Sequence, residues 1–186
     1  GGAEQSPEEW WLTIRSTSKK VLGRGLVPRE DVVAVCCTSQ WSGTVAVDRN
    51  GDHLMDAIIW LDSRGSRYVD DVTGGFPRIQ GYGAGKLFRW IQITGGVPSR
   101  SGKDPLAHIL FIRDQYPEIY RRTHKFLEPK DYVNLCLTGK FAASFDSIAL
   151  HWVTDNRDLS KVDYNDQLLK WSTLDRDKLP DLLRAV

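Results

Sequence analysis

The sequence predicts an α/β fold, a mixed sheet flanked by helices, and three stretches near its start carry that prediction. Val32 to Thr38 is an apolar run rich in β-branched residues, the composition of a strand buried on both faces. Thr44 to Asp48 and Leu54 to Trp60 are two further β-prone runs joined through Asn50-Gly51, a dipeptide that tolerates positive φ and favours a tight hairpin. Ahead of them, Ser6-Pro7-Glu8-Glu9 carries a helix-start signature: a capping hydroxyl, a proline at the first helical position and an acid three residues after the cap. Helix, buried strand and hairpin in that order indicate a sheet layered against helices.

Taken in order, Gly1 to Gln5 reads as a frayed end or a cut connection. The first helix carries Trp11, Ile14, Ser18, Val21 and Leu22 on one side and stops near Gly23-Arg24-Gly25. The three strands follow, sharing one sheet. Ser66 to Val72 forms a short helix that Thr73-Gly74-Gly75-Phe76-Pro77 ends. Gly81-Tyr82-Gly83-Ala84-Gly85-Lys86 invites a phosphate-loop reading, but such a loop needs Gly where Gln80 stands and Ser or Thr where Leu87 stands. A flexible loop before a helix from Lys86 to Ile93, ended by Thr94-Gly95-Gly96, fits better.

Asp104-Pro105 starts the next helix as cap and first-turn proline, with Leu106, Ile109, Leu110 and Arg113 on its face until Tyr116-Pro117. A lone histidine on that helix, His108, is of a kind more often solvated or core than catalytic. Glu118 to His124 is a helical turn, Lys125 to Leu127 a strand, Pro129 to Leu137 a helix with Gly139 beyond its end, and Phe141 to Ser144 a strand. Asp163 to Trp171 and Asp175 to Leu183 read as closing amphipathic helices.

With 186 residues the chain can bury a core as one domain, and a net charge of +1 implies neither a polyanion nor a membrane surface as partner. No run approaches the roughly 18 apolar residues of a membrane span, and no export signal opens the sequence. Cys36, Cys37 and Cys136 are an odd set whose simplest reading is reduced thiols in the cytoplasm, and no Cys/His spacing supplies four zinc ligands.

Gln40-Trp41-Ser42-Gly43 after a hydrophobic run, with Trp60-Leu61-Asp62-Ser63-Arg64 closing the hairpin, resembles the amino-terminal domain of the FGGY family of carbohydrate kinases, the xylulokinases in particular. Leu127-Glu128-Pro129-Lys130-Asp131-Tyr132, Leu137-Thr138-Gly139-Lys140-Phe141 with Ala143-Ser144, and Asp177-Lys178-Leu179-Pro180 extend the resemblance in the family's order. It implies an RNase H-like fold of the actin, heat-shock-chaperone and sugar-kinase superfamily, with residues 1–186 a single, incomplete domain. It also implies transfer of the ATP γ-phosphoryl group to a sugar or polyol hydroxyl, with ATP and Mg²⁺ as cofactors and a carboxy-terminal kinase domain as partner; a homodimer is left open. The family's phosphate hairpin and its catalytic Asp are expected before and after this chain, so no catalytic residue is assigned within it.

Sugars are held by carboxylates and guanidinium groups that satisfy vicinal hydroxyls, and by an aromatic ring over the less polar face. Gln40, Trp41, Ser42, Asp62, Arg64 and Asp104 are the candidate substrate-binding residues. In the family the two positions after the Gln line the sugar pocket, often as Met-His, and Trp41-Ser42 departs from that. Asp62 and Arg64 read equally as an ion pair pinning a strand end, and Trp41 as a packing or subunit contact. Two other classes stand beside the kinase: an RNase H-like nuclease, which needs more clustered carboxylates than Asp62 supplies, and a non-catalytic sugar-binding or scaffolding protein.

Overall fold

The computed structural model describes residues 1–184. β1 (Glu4–Gln5) pairs antiparallel with β3 (Ala57–Ile58), so the amino terminus is not frayed; the Ile59 amide extends the pairing to the Ala3 carbonyl at 3.1 Å. α1 (Pro7–Gly23) starts as its sequence requires, the Ser6 hydroxyl accepting from the Glu9 amide at 3.4 Å. Of its residues only Pro7 is buried, and Leu12 and Val21 stand half exposed, so its apolar side is not covered by the described residues.

The hairpin is present in shortened form. β2 (Val45–Val47) faces β3 through reciprocal Thr44–Ile58 backbone hydrogen bonds of 2.8 and 3.1 Å. Asp48 and Asp52 close the turn, with Gly51 at φ +89° in the left-handed region that glycine enters without strain. Val32–Thr38 corrects the sequence expectation: it forms no strand, has no ladder partner among the described residues and is exposed, Val33 at 94% and Val35 at 72%. Its composition suits a buried strand, but a strand exists only where a neighbour takes its N–H and C=O groups. The role assigned to it is filled by β2, which is buried on both faces. Ala46 meets one apolar cluster, while Val45 and Val47 meet another with Ala57, Leu127, Tyr132 and Leu135.

α2 (Ser66–Thr73) leads into a small antiparallel ribbon, β4 (Arg78–Ile79) with β5 (Tyr82–Gly83), and then α3 (Ala84–Thr94). α4 (Pro105–Gln115) is the central element: Pro105 to Ile112 are all buried, because residues on every side of it meet other elements. α5 (Pro117–Arg122) and β6 (Lys125–Leu127) follow, β6 pairing antiparallel with β2. α6 (Pro129–Thr138) ends at Gly139, whose φ of +71° gives the left-handed cap.

β7 (Ala142–Ser144), the ribbon of β8 (Thr154–Asp155) and β9 (Asp163–Tyr164), α7 (Asp166–Ser172) and β10 (Asp181–Leu183) complete the chain. The last expected helix is therefore a 3-10 turn at Arg176–Lys178 followed by a strand, β10, parallel to β7. Pro180 explains this, since it stops a helix at the residue before it. Parallel and antiparallel pairings both occur, as a mixed sheet requires, but among the described residues they form five two-stranded pieces rather than one sheet. Trp90, Ile93, Leu106, Ile109, Ile112, Phe126, Leu168 and Leu179 fill the larger core between helices and strands.

Candidate functional site

The six candidate residues fall into three adjoining groups. Gln40 and Trp41 line a cavity of about 330 Å³ whose other walls come from Glu128, Lys130, Asp146 and Ser147. Trp41 is 57% exposed, which a packing role does not require, and Gln40 donates to Gln5 Oε1 at 2.9 Å. Across the cavity Lys130 Nζ donates to Asp146 Oδ2 and to Ser144 Oγ, both at 2.7 Å, and the Ser147 hydroxyl donates to Asp131 at 2.7 Å. Burial pushes Asp131 up to about 6. An exposed ring beside charged and hydroxyl groups is the mixture that orients a polyhydroxylated ligand.

Ser42 turns away from that cavity. It holds φ at +65°, unusual for a residue with a side chain, and its hydroxyl donates to the Lys103 carbonyl at 2.6 Å. Gly43, next to it, is backed by Pro129: a Cβ on Gly43 would sit 2.5 Å from the ring's Cγ. Asp104 occupies the cap position of α4 but does not cap it. Its carboxylate instead accepts from the Ser99 amide at 2.7 Å and from Trp152 Nε1 at 2.8 Å, which close the loop before the helix. Burial holds Asp104 above the usual carboxylate range, against the pull of those two donors.

Asp62 and Arg64 form the third group. Asp62 is 1% exposed and accepts from the Ala3 amide at 2.8 Å, the Arg64 amide at 2.9 Å and Arg64 Nε at 2.9 Å. Arg64 also pairs with Glu4 and lies over the Phe111 ring at 4.6 Å. Burial pulls the Asp62 pKa upward, but the hydrogen bonds from Arg64 and from the Ala3 and Arg64 amides together outweigh it and leave the carboxyl below its ordinary value. This pair ties the segment after β3 to β1. Next to it His108 is buried, its Nδ1 3.2 Å from Thr44 Oγ1 and its Nε2 without a partner. Burial, helped by the Arg64 charge and opposed by Asp62, brings His108 down to about 4, so it is a neutral core residue at physiological pH.

The motif that holds Glu128 and Lys130 is legible in the sequence, but their place in the cavity is not, because it depends on α6 meeting the turn after Val32–Thr38. The flexible loop expected at Gly81–Lys86 is instead β5 followed by the first turn of α3, and the Lys86 ammonium donates to the Val72 carbonyl at 2.6 Å. All three cysteines are free, and no group of three or more His, Cys, Asp or Glu side chains suited to a metal ion occurs among the described residues. No described helix is long and apolar enough to cross a membrane.

Comparison with known proteins places this geometry. A family model for the FGGY family of carbohydrate kinases, N-terminal domain, matches residues 1–186. Xylulose kinase of Escherichia coli K12 is 29% identical over 97% of the chain and 34% of its own length, and that of Klebsiella pneumoniae is 28% identical over 98% and 34%. Among solved structures, xylulose kinases from Rhodospirillum rubrum and Lactobacillus acidophilus align with TM-scores of 0.78 and 0.77. They are 17% and 18% identical, and each alignment covers 98% of this chain and 34% of theirs. At that identity the structural likeness shows the fold, an α/β domain of the actin, heat-shock-chaperone and sugar-kinase class. The chain spans about a third of the length of the relatives it matches. On the family match over its whole length, the chain belongs to the FGGY family of carbohydrate kinases, in its N-terminal domain.

Proposed function

We propose that the full-length protein transfers the γ-phosphoryl group of ATP to a hydroxyl of a sugar or polyol, and that this chain supplies part of the sugar-binding domain. The observation that carries the reading is the cavity shared by Gln40 and Trp41, with Lys130, Asp146 and Glu128 around it, in a chain of this family. At about 330 Å³ it lies at the small end of ligand pockets, which run from about 300 to 1,000 Å³. Trp41 covers the ligand's less polar face, and Gln40 and Lys130 offer hydrogen bonds to hydroxyls. Ser42, Asp62, Arg64 and Asp104 support that wall: Ser42 and Asp104 fix the turn against α4, and Asp62 with Arg64 anchors the hairpin to β1.

ATP and Mg²⁺ do not fit the described residues. Among the described residues no cluster of side chains suited to the metal occurs, and Lys86, in the first turn of α3, is engaged with the Val72 carbonyl. Their site, the carboxy-terminal kinase domain and a cytoplasmic location belong to the proposal for the full-length protein, as does any homodimer. The test is an ADP-release assay with xylulose, ribulose, glycerol and related polyols on the full-length protein and on residues 1–186 alone. Turnover by the full-length protein with none by the shorter chain is expected, since phosphoryl transfer depends on positioned phosphate-binding and charge-stabilising groups. Turnover by residues 1–186 would place the base inside them, and silence from the full-length protein across the panel would favour a non-catalytic sugar-binding protein.

A further inference from the structure

Glu128 is a buried carboxyl group that borders the cavity and has no role assigned above beyond that. It is 2% exposed, it begins α6, and its Oε2 accepts from the Gly43 amide at 3.0 Å, a bond between residues 85 apart in sequence. Its Oε1 has no partner among the described residues. A carboxyl group in that position costs desolvation free energy that a leucine there would not, so the stabilisation it returns must come from what it holds. What it holds is the turn in which Ser42 is forced to φ +65° and after which Gly43 is pressed against Pro129. Gln40 and Trp41 immediately precede that turn, and the same cavity touches Gln40, Trp41 and Glu128.

We propose that Glu128 is a positioning residue for the sugar-facing wall: by holding the Gly43 amide it locks the left-handed turn at Ser42 and so fixes where Gln40 and Trp41 stand. Two neighbouring constraints point the same way, the Ser42 hydroxyl on the Lys103 carbonyl and the Pro129 ring behind Gly43. Three contacts on consecutive backbone positions over-determine a conformation that a serine rarely adopts alone. Burial raises the Glu128 pKa well above the usual carboxylate range, with the Gly43 amide opposing. A glutamine keeps a side-chain oxygen that accepts from the Gly43 amide, and an apolar residue does not.

The inference rests on the sugar-kinase reading for its catalytic consequence but not for its structural one, and the experiment separates them. In the full-length protein, E128Q leaves the KM for the sugar within about threefold of wild type, whereas E128L raises it tenfold or more with the KM for ATP unchanged. Without any sugar, 5-fluorotryptophan incorporation gives a Trp41 fluorine resonance, assigned by its loss in W41F. It stays at the wild-type position in E128Q and shifts or broadens in E128L. Hydrogen exchange in the wild-type protein gives a third readout that needs no variant: the Gly43 amide is among the slowly exchanging ones. An unshifted Trp41 resonance in folded E128L, or a Gly43 amide exchanging at the unprotected rate, overturns the positioning role whatever the sugar assay gives. If no sugar is phosphorylated, the kinase reading falls and the two resonance measurements still decide for or against Glu128.

Discussion

The Glu128 carboxylate and the Gly43 amide meet at 3.0 Å in the interior, joining the first turn of α6 to the polar turn that follows Val32–Thr38. That contact brings the two best-conditioned halves of the cavity together, Gln40-Trp41 from one and Lys130 from the other. The remaining expectations concern how rigidly its surroundings are held.

Gly43→Ala places a methyl group 2.5 Å from Pro129 Cγ and 2.9 Å from its Cδ, on a ring that cannot rotate away. Overpacking of this kind costs about 1–3 kcal/mol. Urea unfolding of the variant should show a lower midpoint with an unchanged slope. An unchanged midpoint would mean that α6 shifts freely, which its burial against β6 and β7 argues against.

Trp41→Ala removes an exposed ring, so stability should change by no more than about 0.5 kcal/mol. The KM for the sugar should rise roughly threefold to tenfold, the value of about 0.5–1.5 kcal/mol of ring contact. Steady-state kinetics beside a thermal melt would check both. A large loss of melting temperature with unchanged kinetics would return Trp41 to a packing role.

Asp62→Ala strips three donors of their acceptor and should cost about 1–3 kcal/mol. Because its folded pKa lies below the unfolded value of about 3.9, the contribution of Asp62 is complete above that pH and lost as pH falls through the folded value. Asp62→Asn should therefore flatten the acid end of the stability curve below about pH 4. A sugar KM raised tenfold at unchanged stability would instead put Asp62 in contact with substrate.

His108 and His151 set a second pH window. His151 is buried with no partner at either ring nitrogen, and burial, with His108 nearby, lowers it to about 3. Both folded pKa values lie below the unfolded value of about 6.5, so the unfolded chain takes up protons first as pH falls. The contribution of each histidine should be full above about pH 6.5 and then fall by about 1.4 kcal/mol per pH unit down to about pH 4, while the raised carboxyls of Asp131 and Glu128 act in the opposite sense. Chemical denaturation from pH 8 to pH 4 measures this. The stability difference between wild type and His108→Gln should change by about 1.4 kcal/mol per pH unit across that window, and a difference independent of pH would show that the histidine is already solvated.

The sequence by itself determined the local punctuation of this chain. Ser6-Pro7 starts a helix, Asn50-Gly51 turns a hairpin, Gly139 closes α6, and each does so through a backbone preference of a few neighbouring residues. It also determined the α/β class, and the ordered motifs from Gln40 to Pro180 marked the family. Tertiary structure decided what no local preference carries. Val32–Thr38 has a strand's composition but no ladder partner among the described residues, while β2, though shorter, is buried because β3 and β6 flank it. Asp104 has a cap's position, yet its carboxylate serves Ser99 and Trp152, because a buried acceptor goes to the nearest unsatisfied donors. Glu128 and Gly43 are 85 residues apart, and only the packing of α6 against that turn makes them partners, since a hydrogen bond depends on separation in space rather than along the chain.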